Sequence, residues 1–305
     1  MTAFRKWLAA VLLVCCQSSW GFSQLVIFGD SLSDTGNLTG VFPLPPPYYS
    51  GRVSNGPVAV DYFAESLGLT AISSGHVVGN LNGQNYAIAG GNASGSDIED
   101  LRRQVDVFLA RHPTGLGSNT LYVVFIGGND VRDARDTADA GQQSALISSA
   151  VGAIRSTIIR LRNAGAAYVL VVNVPDIGEI PETLRQTSSN PAIRIRATAS
   201  SVEFNQELSQ MLDGFDSGQL QLYEFDLFKT MNRIIANPAA FGLTNIDQPC
   251  FDTDRFVTTP GCDFDQYLFF DNLHPTSRGH ELIASGMIRA LRPTAFLPGV
   301  ILLLE

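Results

Sequence analysis

Apolar residues fall along this chain in short unbroken runs rather than in alternation. Residues 25–28 (Leu-Val-Ile-Phe), 121–126 (Leu-Tyr-Val-Val-Phe-Ile) and 168–172 (Tyr-Val-Leu-Val-Val) are the clearest. Runs of this length predict strands buried on both faces. Residues 85–93, which carry the pair Gly90-Gly91, and residues 220–228 read as two more strands. Between the runs, apolar positions recur at helical spacing. Ile98, Leu101, Val105 and Phe108 predict a helix opened by Asp97 and running to Arg111. Ile147, Val151, Ile154, Ile158 and Leu161 mark a helix over 142–163 that Gly165 ends. Further helices are expected over 57–67, with Pro57 in the first position, over 192–212, and over 278–291. Strands separated by helices of crossover length predict an α/β protein with a central parallel sheet covered on both faces. Neither a repeat nor a linker interrupts the pattern, so residues 24–305 read as one domain.

Residues 1–23 stand apart. Arg5 and Lys6 precede an apolar run from Leu8 to Cys16, and the small-residue stretch Gly21-Phe22-Ser23 follows. This is the layout of a secretory signal peptide, shorter than the ~20 apolar residues a membrane helix needs. Cleavage is expected near Ser23, which would make the mature chain secreted or periplasmic. Lipidation at Cys15 or Cys16 is an open alternative, although Val14 and Cys15 upstream fit such a site poorly. The apolar tail 296–304 is likewise too short to span a membrane, and is expected to pack on the body.

Charge narrows the function classes. Loss of Arg5 and Lys6 takes the formal net charge from −9 to −11. An acidic chain without a basic cluster is not expected to bind nucleic acid or anionic membranes through charge. Two cysteines remain after processing, Cys250 and Cys262. In an oxidising compartment they are expected to form one disulfide closing a surface loop, with free thiols as the alternative. Asp252, Asp254, Asp263 and Asp265 lack the spacing of a calcium loop and read as a solvated acidic loop. No metal and no cofactor is expected, and the chain is expected to act as a monomer.

The chemistry starts at Phe28-Gly29-Asp30-Ser31-Leu32-Ser33-Asp34. A strand that ends in glycine, followed by residues that open helices, would present Ser31 at the carboxyl edge of the sheet, where ligands bind in open α/β folds. Ser31 fits a plain helix cap as well. Asp30 and Asp34 are expected to hold the turn through backbone hydrogen bonds. The strand at 121–126 delivers Gly127-Gly128-Asn129-Asp130 to the same edge. Four histidines are available as a base. Only His274, in Asp271-Asn272-Leu273-His274-Pro275, has an aspartate three residues earlier that can fold back and fix its tautomer. His112 also precedes a proline, but Leu109 stands three residues before it. His280 lies within an expected helix as a surface or packing residue. Four prolines between Pro43 and Pro47 make that stretch an extended loop, either a substrate mouth near Ser31 or a rigid spacer.

Four blocks, in order, resemble the signature blocks of the GDSL/SGNH hydrolases. They are Phe28-Gly29-Asp30-Ser31-Leu32, Gly90 after Asn85-Tyr86-Ala87, Gly127-Gly128-Asn129-Asp130, and Asp271 with His274-Pro275. Gly51-Arg52-Val53-Ser54-Asn55-Gly56, Val174-Pro175-Asp176-Ile177-Gly178 and residues 237–245 are similar to the lipase/lecithinase branch. Ala89 and Val53 depart from that pattern, where glycine and an aromatic are common. The resemblance implies a flavodoxin-like α/β/α sandwich. It implies Ser31 as nucleophile, His274 as base and Asp271 as the residue that orients it. It also implies an oxyanion hole of the Ser31 and Gly90 N–H groups with the Asn129 amide. The substrate would be a lipid or small acyl ester. Acyl transfer to an alcohol, and a catalytically silent binder of lipid or polysaccharide, are the competing readings.

Overall fold

The structure is a computed structural model that describes residues 21–216, 218 and 220–292. The expected leader therefore lies outside the described residues except for Gly21–Ser23, and the apolar tail lies outside them altogether. The core sheet has four parallel strands in the order β1 (Gln24–Gly29), β2 (Thr120–Phe125), β3 (Tyr168–Val172) and β4 (Gln221–Phe225). All of β2, and most of β1 and β3, is buried, because helices cover both faces of the sheet. Val123 sits opposite Ile27 on one side and Leu170 on the other.

One helical layer contains α1 (Ala59–Ser66), and the other is built on α2 (Leu101–Ala110), α3 (Gly128–Asp136) and α4 (Ala140–Asn163). After the short α5 (Pro181–Gln186), α6 (Ile193–Asp213) packs on α3 and α4, while α7 (Leu227–Ala236) and α8 (Ser277–Ala290) join the layer of α1. The result is the covered parallel sheet expected from the pattern, in the flavodoxin-like three-layer sandwich that the resemblance implied. Between α7 and α8 lie four short strands: β5 (Asn245–Pro249), β6 (Phe251–Asp252), β7 (Val257–Thr258) and β8 (Tyr267–Phe269). β5 pairs with β8, β6 pairs with β7, and a Cys250–Cys262 disulfide closes the loop.

Among the described residues, α4 alone is long and apolar enough to cross a membrane. Its apolar stripe, Ile147, Ile154, Ile158 and Leu161, is buried in the core, as in the central helix of a sandwich.

Three local expectations change. Residues 85–93 do not form a regular strand. They run along the free edge of β1 through Tyr86 N–H to Ile27 O (2.7 Å) and Ile88 N–H to Gly29 O (3.1 Å). The Ala87 N–H turns instead to the Asn85 side chain (3.0 Å), and Gly90 leaves the edge at φ +92°. No helix begins at Ser31. The Asp34 carboxylate accepts the N–H groups of Gly36, Asn37 and Leu38 at 2.7–3.0 Å, so the segment stays a turn and satisfies its donors locally. Helix α2 starts at Leu101 rather than Asp97, because Asp100 takes the cap position and its carboxylate accepts the Asp97 N–H at 2.7 Å.

Candidate active site

Three strand ends converge at the carboxyl edge of the sheet. The turn after β1 carries Ser31, the segment after β2 carries Asn129, and residues 174–180 follow β3. Gly29 is needed at the end of β1 because a Cβ there would lie 2.6 Å from the Phe125 carbonyl. Its N–H and C=O are clamped by Gln104 of α2 at 2.9 and 2.7 Å. Asp30 O then accepts the N–H groups of Ser33 and Asp34, and Asp30 Oδ1 accepts the Leu32 N–H at 3.0 Å. The turn is thus held at both ends, and Ser31 is fixed at its crest.

His274 reaches this edge from the loop between β8 and α8. Its Nε2 lies 2.9 Å from Ser31 Oγ, and its Nδ1 lies 2.9 Å from both Asp271 oxygens. Asp271 Oδ1 also accepts the Leu273 and His274 N–H groups at 2.8 and 2.7 Å, so the carboxylate and the imidazole share one tight turn. Burial alone would push the Asp271 carboxyl up. The His274 ring and the backbone N–H groups outweigh it and hold the carboxyl below its ordinary range, so it stays ionised. The loop is pinned from outside as well. Ser54 Oγ donates to Pro275 O (2.9 Å), and the Ser277 N–H donates to Asn55 (2.9 Å). That gives the block Gly51–Gly56 its job: it braces the histidine loop from a position more than 200 residues earlier.

The predicted donors lie on the opposite side of Ser31. Asn129 stands in the first turn of α3, after Gly127 at φ +125°, and its Nδ2 donates to Gly91 O at 2.9 Å. One N–H of the amide therefore anchors it to the Gly90-Gly91 turn, and the second remains for a ligand. Among the described residues, neither the Ser31 nor the Gly90 N–H has an acceptor. Asp130, next to Asn129, accepts from Ala93 N, Ser94 N and Ser94 Oγ at 2.7–3.0 Å and so locks α3 to the same turn.

The remaining histidines are elsewhere. His112 Nδ1 meets Phe108 O at 2.8 Å, within the end of α2. His76 sits beside Ser74, its pKa lowered to about 4 by burial and by Arg111. His280 is wholly buried on α8, lowered to about 3 chiefly by burial, and is a packing residue rather than a surface one.

Two cavities flank His274. A small apolar one touches Ser31, Asn129 and His274 and is walled by Leu32, Ile177 and Ile180. On the other side lies an open cleft of about 550 Å³, lined by Glu182, Arg185, Ser189, Asp254 and Asn272. Tyr48 borders this cleft, so the proline-rich loop does reach the site, while Phe42 and Tyr49 face solvent. Val53 also lines the cleft, where a larger side chain would narrow it. Arg132, which no motif singles out, borders the apolar cavity and pairs with Glu182 at 2.7 Å. The carboxylates of the acidic loop accept local N–H groups, and Asp254 pairs with Arg185 at 2.8 Å.

Asp30 lies under the nucleophile turn. Burial pushes its carboxyl up to about 7, against a Leu32 hydrogen bond and the His274 ring. A raised pKa in the folded state means stability that is complete below about pH 4 and is lost as pH rises through 7. The expected loss is on the order of 4 kcal/mol. Asp30→Asn keeps an acceptor for Leu32 and removes the titration. Urea unfolding at pH 4.5 and 8 should show a smaller fall in the variant than in wild type, since Asp34 and Asp130, whose pKa values are also raised by burial, remain in both.

A parallel sheet that carries a serine, a histidine and an aspartate in hydrogen-bonded line at its carboxyl edge, beside unpartnered N–H donors, has the arrangement used for nucleophilic attack on an acyl carbon. The chain belongs to the GDSL-like Lipase/Acylhydrolase family, whose model matches residues 25–287. It is 29% identical to a phosphatidylcholine-sterol acyltransferase of Aeromonas hydrophila, over 81% of this chain and 72% of that protein. It is 25% identical to Lipase 1 of Photorhabdus luminescens, over 94% of this chain and 53% of the lipase, and so spans about half of that relative's length. Among solved structures it resembles Axe2, an acetylxylan esterase from Geobacillus stearothermophilus, at 15% identity and a TM-score of 0.47, over 89% of this chain and 95% of that one.

Proposed function

We propose that the chain cleaves carboxylic esters through an acyl-Ser31 intermediate, and that it works outside the cytoplasm. The observation that carries the reading is the unbroken line Ser31 Oγ–His274–Asp271, each link 2.9 Å long. A serine hydroxyl is a weak nucleophile until a base takes its proton during attack. His274 Nε2 takes that proton as Ser31 Oγ bonds to the ester carbon. The carbonyl π electrons move onto oxygen, where the Ser31 and Gly90 N–H groups and the Asn129 amide offer donors. Collapse of this intermediate breaks the ester C–O bond, and His274 returns the proton to the departing alcohol. Water then attacks the acyl-Ser31 carbonyl by the same path and releases the carboxylic acid. One preorganised donor is worth about 3–4 kcal/mol of transition-state stabilisation. Asp271 holds the Nδ1–H tautomer and stabilises the imidazolium.

In this reading the alcohol that takes the His274 proton lies towards the polar cleft His274 borders, and the acyl group lies in the apolar cavity at Ser31. A polar alcohol suits the cleft, whether a lipid headgroup or a sugar. Acyl transfer is the second reading. It is favoured by the room for an acceptor alcohol in the 550 Å³ cleft and by the similarity to the Aeromonas acyltransferase. Turnover of p-nitrophenyl butyrate with added glycerol, with products resolved by mass, tests both. Free butyrate alone supports hydrolysis, a butyryl glycerol supports transfer, and no product overturns both. The expected leader and the Cys250–Cys262 disulfide favour an oxidising compartment.

A further inference from the structure

Behind the small apolar cavity at Ser31 lies a second one. Leu32, Pro175, Ile180 and Leu273 border both, so the two are separated only by a neck of side chains. The far walls are Leu227, Met231 and Ile235 of α7 and Ile283 of α8. Asp176 is the one charged residue lining this second cavity. Its Oδ1 accepts the Gly178 N–H (2.9 Å) and the Thr198 hydroxyl (2.8 Å), which ties the side chain to its own loop and to α6. The two cavities measure about 40 and 30 Å³. Each exceeds the ~10–15 Å³ that a single water-sized sphere needs, and the second, whose walls are apolar apart from Asp176, favours an apolar occupant.

We propose that these cavities form a single channel for the acyl chain of the substrate, running from Ser31 beneath Leu32 and Leu273 to a floor at Met231 and Ile235. The inference rests on the ester-cleaving reading above, and it names the acyl substrate class as a straight aliphatic chain. The chain direction follows from the site. His274 serves the alcohol and the N–H donors serve the carbonyl oxygen, so the remaining substituent of the acyl carbon is left to the apolar walls of Leu32, Ile177 and Ile180 beside Ser31. Leu32 and Leu273, both half-buried, form the neck and must part when a chain passes. Met231 is nearly fully buried, and its unbranched thioether chain can swing to set how deep the channel runs. Short acyl groups would fill only the first cavity, and medium chains would reach the second.

The test is kcat/KM on p-nitrophenyl acetate, butyrate, octanoate and dodecanoate for wild type and for Met231→Trp, Ile235→Trp and Met231→Ala. Neither residue touches the reacting atoms. The expected result is that the tryptophan variants keep acetate turnover within about twofold and lose at least about tenfold on octanoate and dodecanoate, the size of effect a few misplaced methylenes produce. Met231→Ala should shift the optimum towards dodecanoate. If Met231→Trp fails to fold, seen as lost acetate turnover and a lowered Tm, Ile235→Trp at the half-buried outer wall carries the same comparison. Equal losses at every chain length, or unchanged dodecanoate turnover, overturn the channel while leaving ester cleavage standing. A folded wild type inactive on all four esters overturns both.

Discussion

Ser31→Ala and His274→Ala should each lower kcat on p-nitrophenyl butyrate by about 10⁴- to 10⁶-fold, and the double variant should lose no more than the worse single one. Nucleophile and base act as one unit. Without the hydroxyl there is nothing for the imidazole to deprotonate, and without the imidazole the hydroxyl carries its proton into the attack. The 2.9 Å contact between His274 Nε2 and Ser31 Oγ is the physical link that makes the losses overlap. Independent contributions would multiply instead. Residual turnover above water should survive from the N–H groups of Ser31 and Gly90 and the Asn129 amide, which these substitutions leave in place. A His274→Ala variant that retained most of its activity would contradict the assignment of the base. His112→Ala offers the matched control, since its ring is tied to Phe108 O at the end of α2 and should leave turnover unchanged.

Asp271→Asn is expected to cost about 10⁴-fold in kcat with little change in fold. Asparagine keeps an oxygen that can accept the Leu273 and His274 N–H groups, so the turn survives. What changes is the group facing the His274 ring. An amide that donates to Nδ1 forces the proton onto Nε2, and the ring then faces Ser31 as a donor when it is needed as an acceptor. The buried carboxylate is held ionised by His274, so the substitution also removes the charge that would steady an imidazolium. The pH sign is separate from that of Asp30. Asp271 has a lowered pKa, so the stability it contributes is present above the ordinary carboxylate range and is lost as pH falls through the folded value. Steady-state kinetics beside acid unfolding read both effects. Activity within tenfold of wild type would contradict the orienting role.

Much of the architecture was legible because the central strands are buried on both faces. Runs such as Leu121–Ile126 cannot be placed anywhere but inside a covered sheet, and the stripe from Ile147 to Leu161 can only face one. Asp271 and His274 were legible because their partnership is local, closed within one turn. Helix α3 was missed because its sequence, Gly-Asn-Asp-Val-Arg-Asp-Ala-Arg-Asp, carries too few apolar residues to show a stripe. Its buried side is completed by Arg135, neutralised by Glu182 and Asp136. Helix α7 was absorbed into the run 220–228, since nothing local shows that Asp226 caps a helix by accepting the Lys229 N–H. The brace from Gln104 to Gly29 joins residues 75 apart, and a lone glutamine on a helix face gives no sign of what it will meet. The helix expected at Ser31 failed for a related reason. Asp34 had enough acceptor capacity to satisfy three consecutive N–H groups without a helix.

The most direct measurement is covalent. Wild-type protein treated with a fluorophosphonate probe should gain one adduct in its intact mass, mapped by peptide sequencing to Ser31, and Ser31→Ala should gain none. A folded wild type that takes up no probe, or a Ser31→Ala variant that is still labelled, would contradict the claim that this hydroxyl is the nucleophile.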